Sequence, residues 1–136
     1  MVNTSTTLKE KENMNFTKNK PIYLQIAHEI ILEIYNHNIS LASIMPSVRE
    51  LSVKYQVTPK TIQAVNKHLN ELEIITTKPG VGSVITADYE LIKHIHKLNG
   101  KSYTLEYIES MKKLSYQDDE IINYIKSSLK GEHNND

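Results

Sequence analysis

"MPSVRELSVKYQVTPKTIQAV", residues 45–65, sets two short helical patterns almost end to end. Ser47 and Glu50 stand in the S-x-x-E spacing of a capping box, in which each residue satisfies a backbone N–H of the other. Val48 and Leu51 then share one side of a helix that runs to about Tyr55. The triplet "YQV" reads as a tight turn. Thr58 is a good N-cap, and Pro59 suits the first helical position, where no hydrogen-bond donor is needed. The next helix extends to about Leu72. Two short helices across so brief a turn predict a helix-turn-helix. The stretch also holds Arg49, the single arginine of 136 residues. Its planar fork of donors suits phosphates and base edges better than a lysine does.

Working outward, "PIYLQIAHEIILEIYNHNI" places Ile22, Ile26, Ile30 and Ile34 beside Tyr23, Ala27, Ile31 and Tyr35. Two adjacent rows at four-residue spacing predict an amphipathic helix, ended by Asn36, His37 and Asn38. "SLASIMP" reads as a loop. Downstream, "IITTKPGVGSVIT" has β-branched runs flanking Gly80 and Gly82, the pattern of a hairpin. Three helices and a β-hairpin predict a mainly α chain built on a winged helix-turn-helix. Its expected limits are residues 20–87, after a flexible N-terminal arm over 1–19.

Residues 88–130 return to helical spacing. Leu91, Ile92, Ile95 and Leu98 precede Gly100, which is expected to break the helix, and Leu105, Ile108, Met111 and Leu114 follow. Ser115 with Asp118 resembles a second capping box, opening a last helix with Ile121, Ile122, Ile125 and Leu129. So short a segment cannot close a core of its own. It reads as a helical dimerisation or effector tail, packing on the winged helix or on a second copy. Leu105, Ile108, Ile121 and Ile125 are the candidate dimer contacts. Residues 131–136 read as a disordered end.

Composition narrows the function classes. Without cysteine, disulfides and thiolate chemistry are excluded. No apolar run approaches the roughly 20 residues of a membrane span, and the N-terminus lacks the apolar region of a secretory signal. The expectation is a soluble cytoplasmic protein, with no membrane partner. Net charge is zero, but the middle is slightly basic and the tail slightly acidic. No G-x-S-x-G, P-loop or H-E-x-x-H occurs. His94 and His96, two apart on a helix, point in different directions and read as ordinary histidines. No catalytic residue, metal site or cofactor is expected.

At about 100° per residue, Ile62, Val65, Leu69 and Leu72 face one side of the third helix. Lys60, Gln63, Ala64 and Lys67 face the other, with no acid before Glu71. Such a helix fits a major groove about 12 Å wide, where Gln reads adenine, Lys reaches guanine or phosphate, and Ala admits close approach. Thr58 and Thr61, like Ser47 one helix earlier, offer hydroxyls and free amides to phosphates. The bland alternative is an ordinary solvated face. Arg49 at a helix start either clamps DNA or pairs with Glu50 or Glu33 on the surface. Lys78 and Gly80 approach a minor groove or simply form a turn. A winged helix used for protein interaction is the competing function, marked by an acidic or apolar third helix. RNA binding lacks an aromatic stacking platform here.

These residues resemble the DNA-binding domain of the GntR family of bacterial transcription regulators. The resemblance runs from "PIYLQIAHEI" through "MPSVRELSVKYQVTPKTIQAVNKHLNELEIITTKPGVGSVIT", about half the chain. It includes the P-S-x-R-x-L element, the turn into the recognition helix and the G-x-G wing. It implies that Arg49, Lys60, Thr61 and Gln63 align with family DNA contacts, and Gly80 with the wing tip. Pro59 replaces an arginine of some members, and "TPKT" with the short tail is similar to the YtrA-like subgroup. The resemblance implies a homodimeric regulator, a repressor in expectation, on a two-fold double-stranded DNA operator, in that subgroup often of a transporter operon. It leaves any small-molecule effector open, because the tail has no room for a large ligand cavity.

Overall fold

The computed structural model describes Phe16 and residues 20–131. Apart from Phe16, the expected arm over 1–19 lies outside the described residues, as does the expected disordered end beyond Gly131. Helix α1 (Ile22–Tyr35) follows Pro21, whose carbonyl accepts from Leu24 and Gln25. Helix α2 (Val48–Tyr55) opens on the Ser47–Glu50 capping box, both halves of which are formed. It closes through Gln56 in the left-handed conformation, φ 57°. Helix α3 (Pro59–Glu71) starts with Thr58 as N-cap and Pro59 in the first turn. Strands β1 (Ile75–Lys78) and β2 (Gly82–Ile85) pair antiparallel, in register from Ile75 opposite Ile85 to Lys78 opposite Gly82. Gly80 at φ 75° and Gly82 at φ 117° make the turn, conformations that a side chain resists. Then come α4 (Tyr89–Lys113) and α5 (Asp118–Leu129). The chain is mainly helical, with a winged helix-turn-helix at its centre.

Aliphatic burial holds the winged helix together. Ile26, Ile30 and Ile34 of α1 meet Ile62, Val65 and Leu69 of α3, with Ile74, Ile75 and Ile85 closing the sheet side. All are essentially inaccessible. Each such side chain contributes roughly 1.5–3 kcal/mol over an exposed one. Leu51 and Tyr55 bring α2 onto the same core, and Tyr55 is buried enough to push its phenol well above the ordinary range. Phe16 packs on this core from outside.

The described residues form two compact units, one up to His96 and one from Lys97. The first turns of α4 belong to the first unit, because Ile92 and Ile95 join its core. Tyr89 anchors them, its hydroxyl donating to the Tyr35 carbonyl at 2.8 Å. His96 lies flat on the Tyr35 ring, 3.6 Å between centroids and 6° from parallel.

Three local expectations are corrected. Gly100 does not break the helix: α4 runs 25 residues straight through it. One glycine costs a helix interior only about 1 kcal/mol relative to alanine, too little to stop well-formed turns on both sides. The Ser115–Asp118 box does not form. Ser115 instead closes α4 at φ 71°, and Gln117 N–H donates to Glu120 Oε1 at 2.9 Å, two residues later. Part of "SLASIMP" is strand-like rather than loop. Ile44 bridges Val84, Met45 N–H donates to the Ser83 carbonyl, and Ile85 N–H donates to that of Ser43.

A Cβ at Gly100 would meet nothing within 4 Å. Gly100→Ala is therefore expected to stabilise the protein by about 0.5–1 kcal/mol, read as a rise in thermal midpoint. A pH effect follows from His28, whose pKa lies below 6.5 because of burial, then Lys20 and His68. The unfolded chain binds the extra proton, so this stability is complete above pH 6.5 and falls as pH drops below it. Denaturant titrations of His28→Gln should show a shallower acid loss than the parent.

Candidate nucleic-acid interface

The sites anticipated from sequence lie on three elements of the first unit. Ser47 and Arg49 are at the start of α2, Thr58 to Lys67 on α3, and Lys78 and Gly80 on the hairpin. Ser47, Arg49, Thr58, Lys60, Gln63, Lys67, Lys78 and Gly80 are exposed, and Thr61 is half-buried. On α3 the period works as expected: Ile62, Val65 and Leu69 are buried while Lys60, Gln63 and Lys67 stand out in solvent. The structure thus collects a strip of two ammonium groups and one amide, with half-buried Ala64 beside it.

Capping fixes the start of both helices. Ser47 Oγ accepts from Glu50 N–H at 3.0 Å, and Glu50 Oε1 accepts from Ser47 N–H at 2.9 Å. The Ser47 backbone N–H, and then the Ser47 side chain, hold the Glu50 carboxyl below its ordinary pKa, so it stays ionised as an acceptor. Thr58 Oγ1 accepts from Thr61 N–H at 3.4 Å and lies 3.3 Å from the Thr61 hydroxyl. A hydroxyl that accepts here can still donate to a phosphate oxygen.

Neither acid suggested as a partner for Arg49 engages it. Glu50 is held by Ser47, and buried Glu33 accepts from Asn38 Nδ2 at 2.7 Å. Among the described residues Arg49, Lys60, Lys67 and Lys78 form no ion pair.

His94 is exposed and His96 stacks on Tyr35, so the two histidines do point apart. Among the described residues no group of three or more histidines and carboxylates could hold a metal ion. No helix among them is long and apolar enough to cross a membrane.

In the second unit Leu105 and Ile125 are exposed, Ile108 is half-buried and Ile121 is buried within the unit. Leu98, Leu114, Ile122 and Leu129 are also largely exposed. An open groove of about 560 Å³ runs along α4 past Leu98, Ser102 and Leu105.

Sequence reading missed two features. One is the pair of exposed apolar side chains Ile44 and Val81, 59% and 53% exposed, for which the sequence carries no local signal. The other is His68, at the end of α3, whose ring meets Tyr23 of α1 edge-on at 6.0 Å. Only its place next to Lys67 hinted at it.

Residues 22–85 match the model of the bacterial regulatory proteins of the gntR family. A GntR family transcriptional regulator from Listeria monocytogenes is 38% identical, with a TM-score of 0.72, covering 82% of this chain and 98% of its own. The chain belongs to the GntR family. The similarity extends to a transcriptional regulator from Oenococcus oeni, 26% identical with TM-score 0.64, covering 85% of this chain and 97% of that one. The uncharacterized HTH-type transcriptional regulator YhcF of Bacillus subtilis (strain 168) is 29% identical, over 85% of this chain and 96% of its own. This GntR protein is a DNA-binding transcription regulator and not an enzyme.

Proposed function

We propose that this regulator is a homodimeric, cytoplasmic repressor of the YtrA-like kind, binding a two-fold symmetric operator, with a transporter operon as the expected target. The observation that carries the reading is the exposed strip of Lys60, Gln63 and Lys67 on α3, with Arg49, which forms no ion pair among the described residues, at the neighbouring helix start. The strip enters the major groove. Gln63 and Lys60 face base edges there, and Ala64 permits close approach. Ser47, Thr58, Thr61 and Lys67 hold phosphates, Arg49 clamps phosphate or reaches a base, and Lys78 and Gly80 bring the wing to the minor groove. Half-sites lie about one helical turn apart.

Dimerisation rests on the apolar surface from Lys97 onward. Ile121 is the one buried residue among the described residues of that unit, while Leu98, Tyr103, Leu105, Leu114, Ile122, Tyr124 and Leu129 are half or more exposed. A contiguous exposed apolar face marks an interaction surface. Leu105, Ile108 and Ile125 supply it, with Ile121 supporting them from within.

Arg49→Ala is expected to cost roughly 1–3 kcal/mol of DNA affinity, measured by gel shift on fragments selected by the protein. Wild-type affinity in that variant would remove Arg49 from the interface. Leu105→Asp combined with Ile125→Asp is expected to convert a dimer to monomers in sedimentation while the helical circular dichroism persists. An unchanged dimer would place the subunit contact elsewhere.

A further inference from the structure

The groove along α4 is lined by charge as well as by Leu98 and Leu105. Lys101 and Glu109 stand in it, one on either side of Leu105 in the sequence. Both are exposed and form no ion pair among the described residues. Leu105, midway between them, is 56% exposed. The later turns of α4 are occupied differently. There Ile121 and Ile122 of α5 line a hollow with Ile108 and Lys112, and Lys112 Nζ lies 3.3 Å from Asp118 Oδ1.

Residues four apart on a helix are surface neighbours, so Lys101, Leu105 and Glu109 make one row. The row is apolar at its middle and oppositely charged at its ends. A half-turn about Leu105 exchanges those ends and sets each ammonium against a carboxylate. Parallel alignment would instead set like charge on like, which opposes association. The row thus complements an inverted copy of itself, the condition that an isologous two-fold contact imposes. We propose that α4 pairs antiparallel with α4 of a second copy of this chain, the two-fold axis passing at Leu105, so that Lys101 of each subunit faces the partner's Glu109. This rests on the dimer reading above and supplies its direction, its register and the charges that select the partner. The contact is formed by the full-length row of one helix, and each ion pair in it occurs twice.

Sedimentation equilibrium of the full chain at low salt tests the register. Lys101→Glu and Glu109→Lys should each weaken self-association by about tenfold, because symmetry doubles every reversed contact. An equimolar mixture of the two variants should associate as tightly as the parent, since every facing pair is again opposite in sign. The double variant Lys101→Glu with Glu109→Lys should also recover. Single variants of parental strength, or a mixture no tighter than its components, overturn the register and leave the dimer reading standing. A parent that stays monomeric overturns both. A second measurement does not depend on charge. Leu105→Cys, the sole cysteine of its chain, should oxidise to a covalent dimer. Lys101→Cys should not, being about 12 Å along the paired helices from its own copy. Equal cross-linking of the two, or none at Leu105→Cys, overturns the placement of the axis.

Discussion

The packing of α3 against α1 is the constraint on which the rest depends. Ile62, Val65 and Leu69 are wholly buried against an isoleucine row, and that burial fixes the rotation of α3 about its axis. Rotation in turn decides what reaches solvent. With the aliphatic side turned in, Lys60, Gln63 and Lys67 have nowhere to go but out. A helix of 13 residues has little stability alone in water, so core packing rather than intrinsic propensity presents this strip. Stability and the proposed recognition are therefore two faces of one helix, and a change to the buried face would be felt on the exposed one.

The helix starts refine that presentation. Both α2 and α3 begin with a side chain bonded to its own first turn, so the residues next in line have fixed backbones. Arg49 lies inside the capping box, between Ser47 and Glu50. Its long side chain is free of ion pairs among the described residues, but its root is held. Such an arrangement limits the order that must be imposed when a partner arrives.

Elements governed by local chemistry were legible in the sequence: the Ser47 box, the Thr58–Pro59 start, the glycine turn and the aliphatic period of α3. Each is specified within a few residues. Gly100, Ser115 and Ile44 were not, and for distinct reasons. Gly100 is outvoted by the turns around it. Ser115 and Gln117 both had an acid three residues on, and the conformation ending α4 chose between them. Ile44 pairs with a strand 40 positions away, which no local pattern announces. The candidate site divides in the same way. Its central strip follows from helical period, whereas His68 acquires its neighbours only once α1 is folded against α3.

The short bridge at Ile44 ties two parts of the candidate interface together. Met45 and Ser43 are bonded to β2 through Ser83 and Ile85, and the chain enters α2 only three residues after Met45. The hairpin and the arginine-bearing helix are thereby stitched into one backbone lattice. Evolution or an engineer could lengthen the loop at Pro79–Val81 without disturbing Arg49. A single added residue between Ala42 and Pro46 would instead shift the hairpin and the guanidinium out of step with each other.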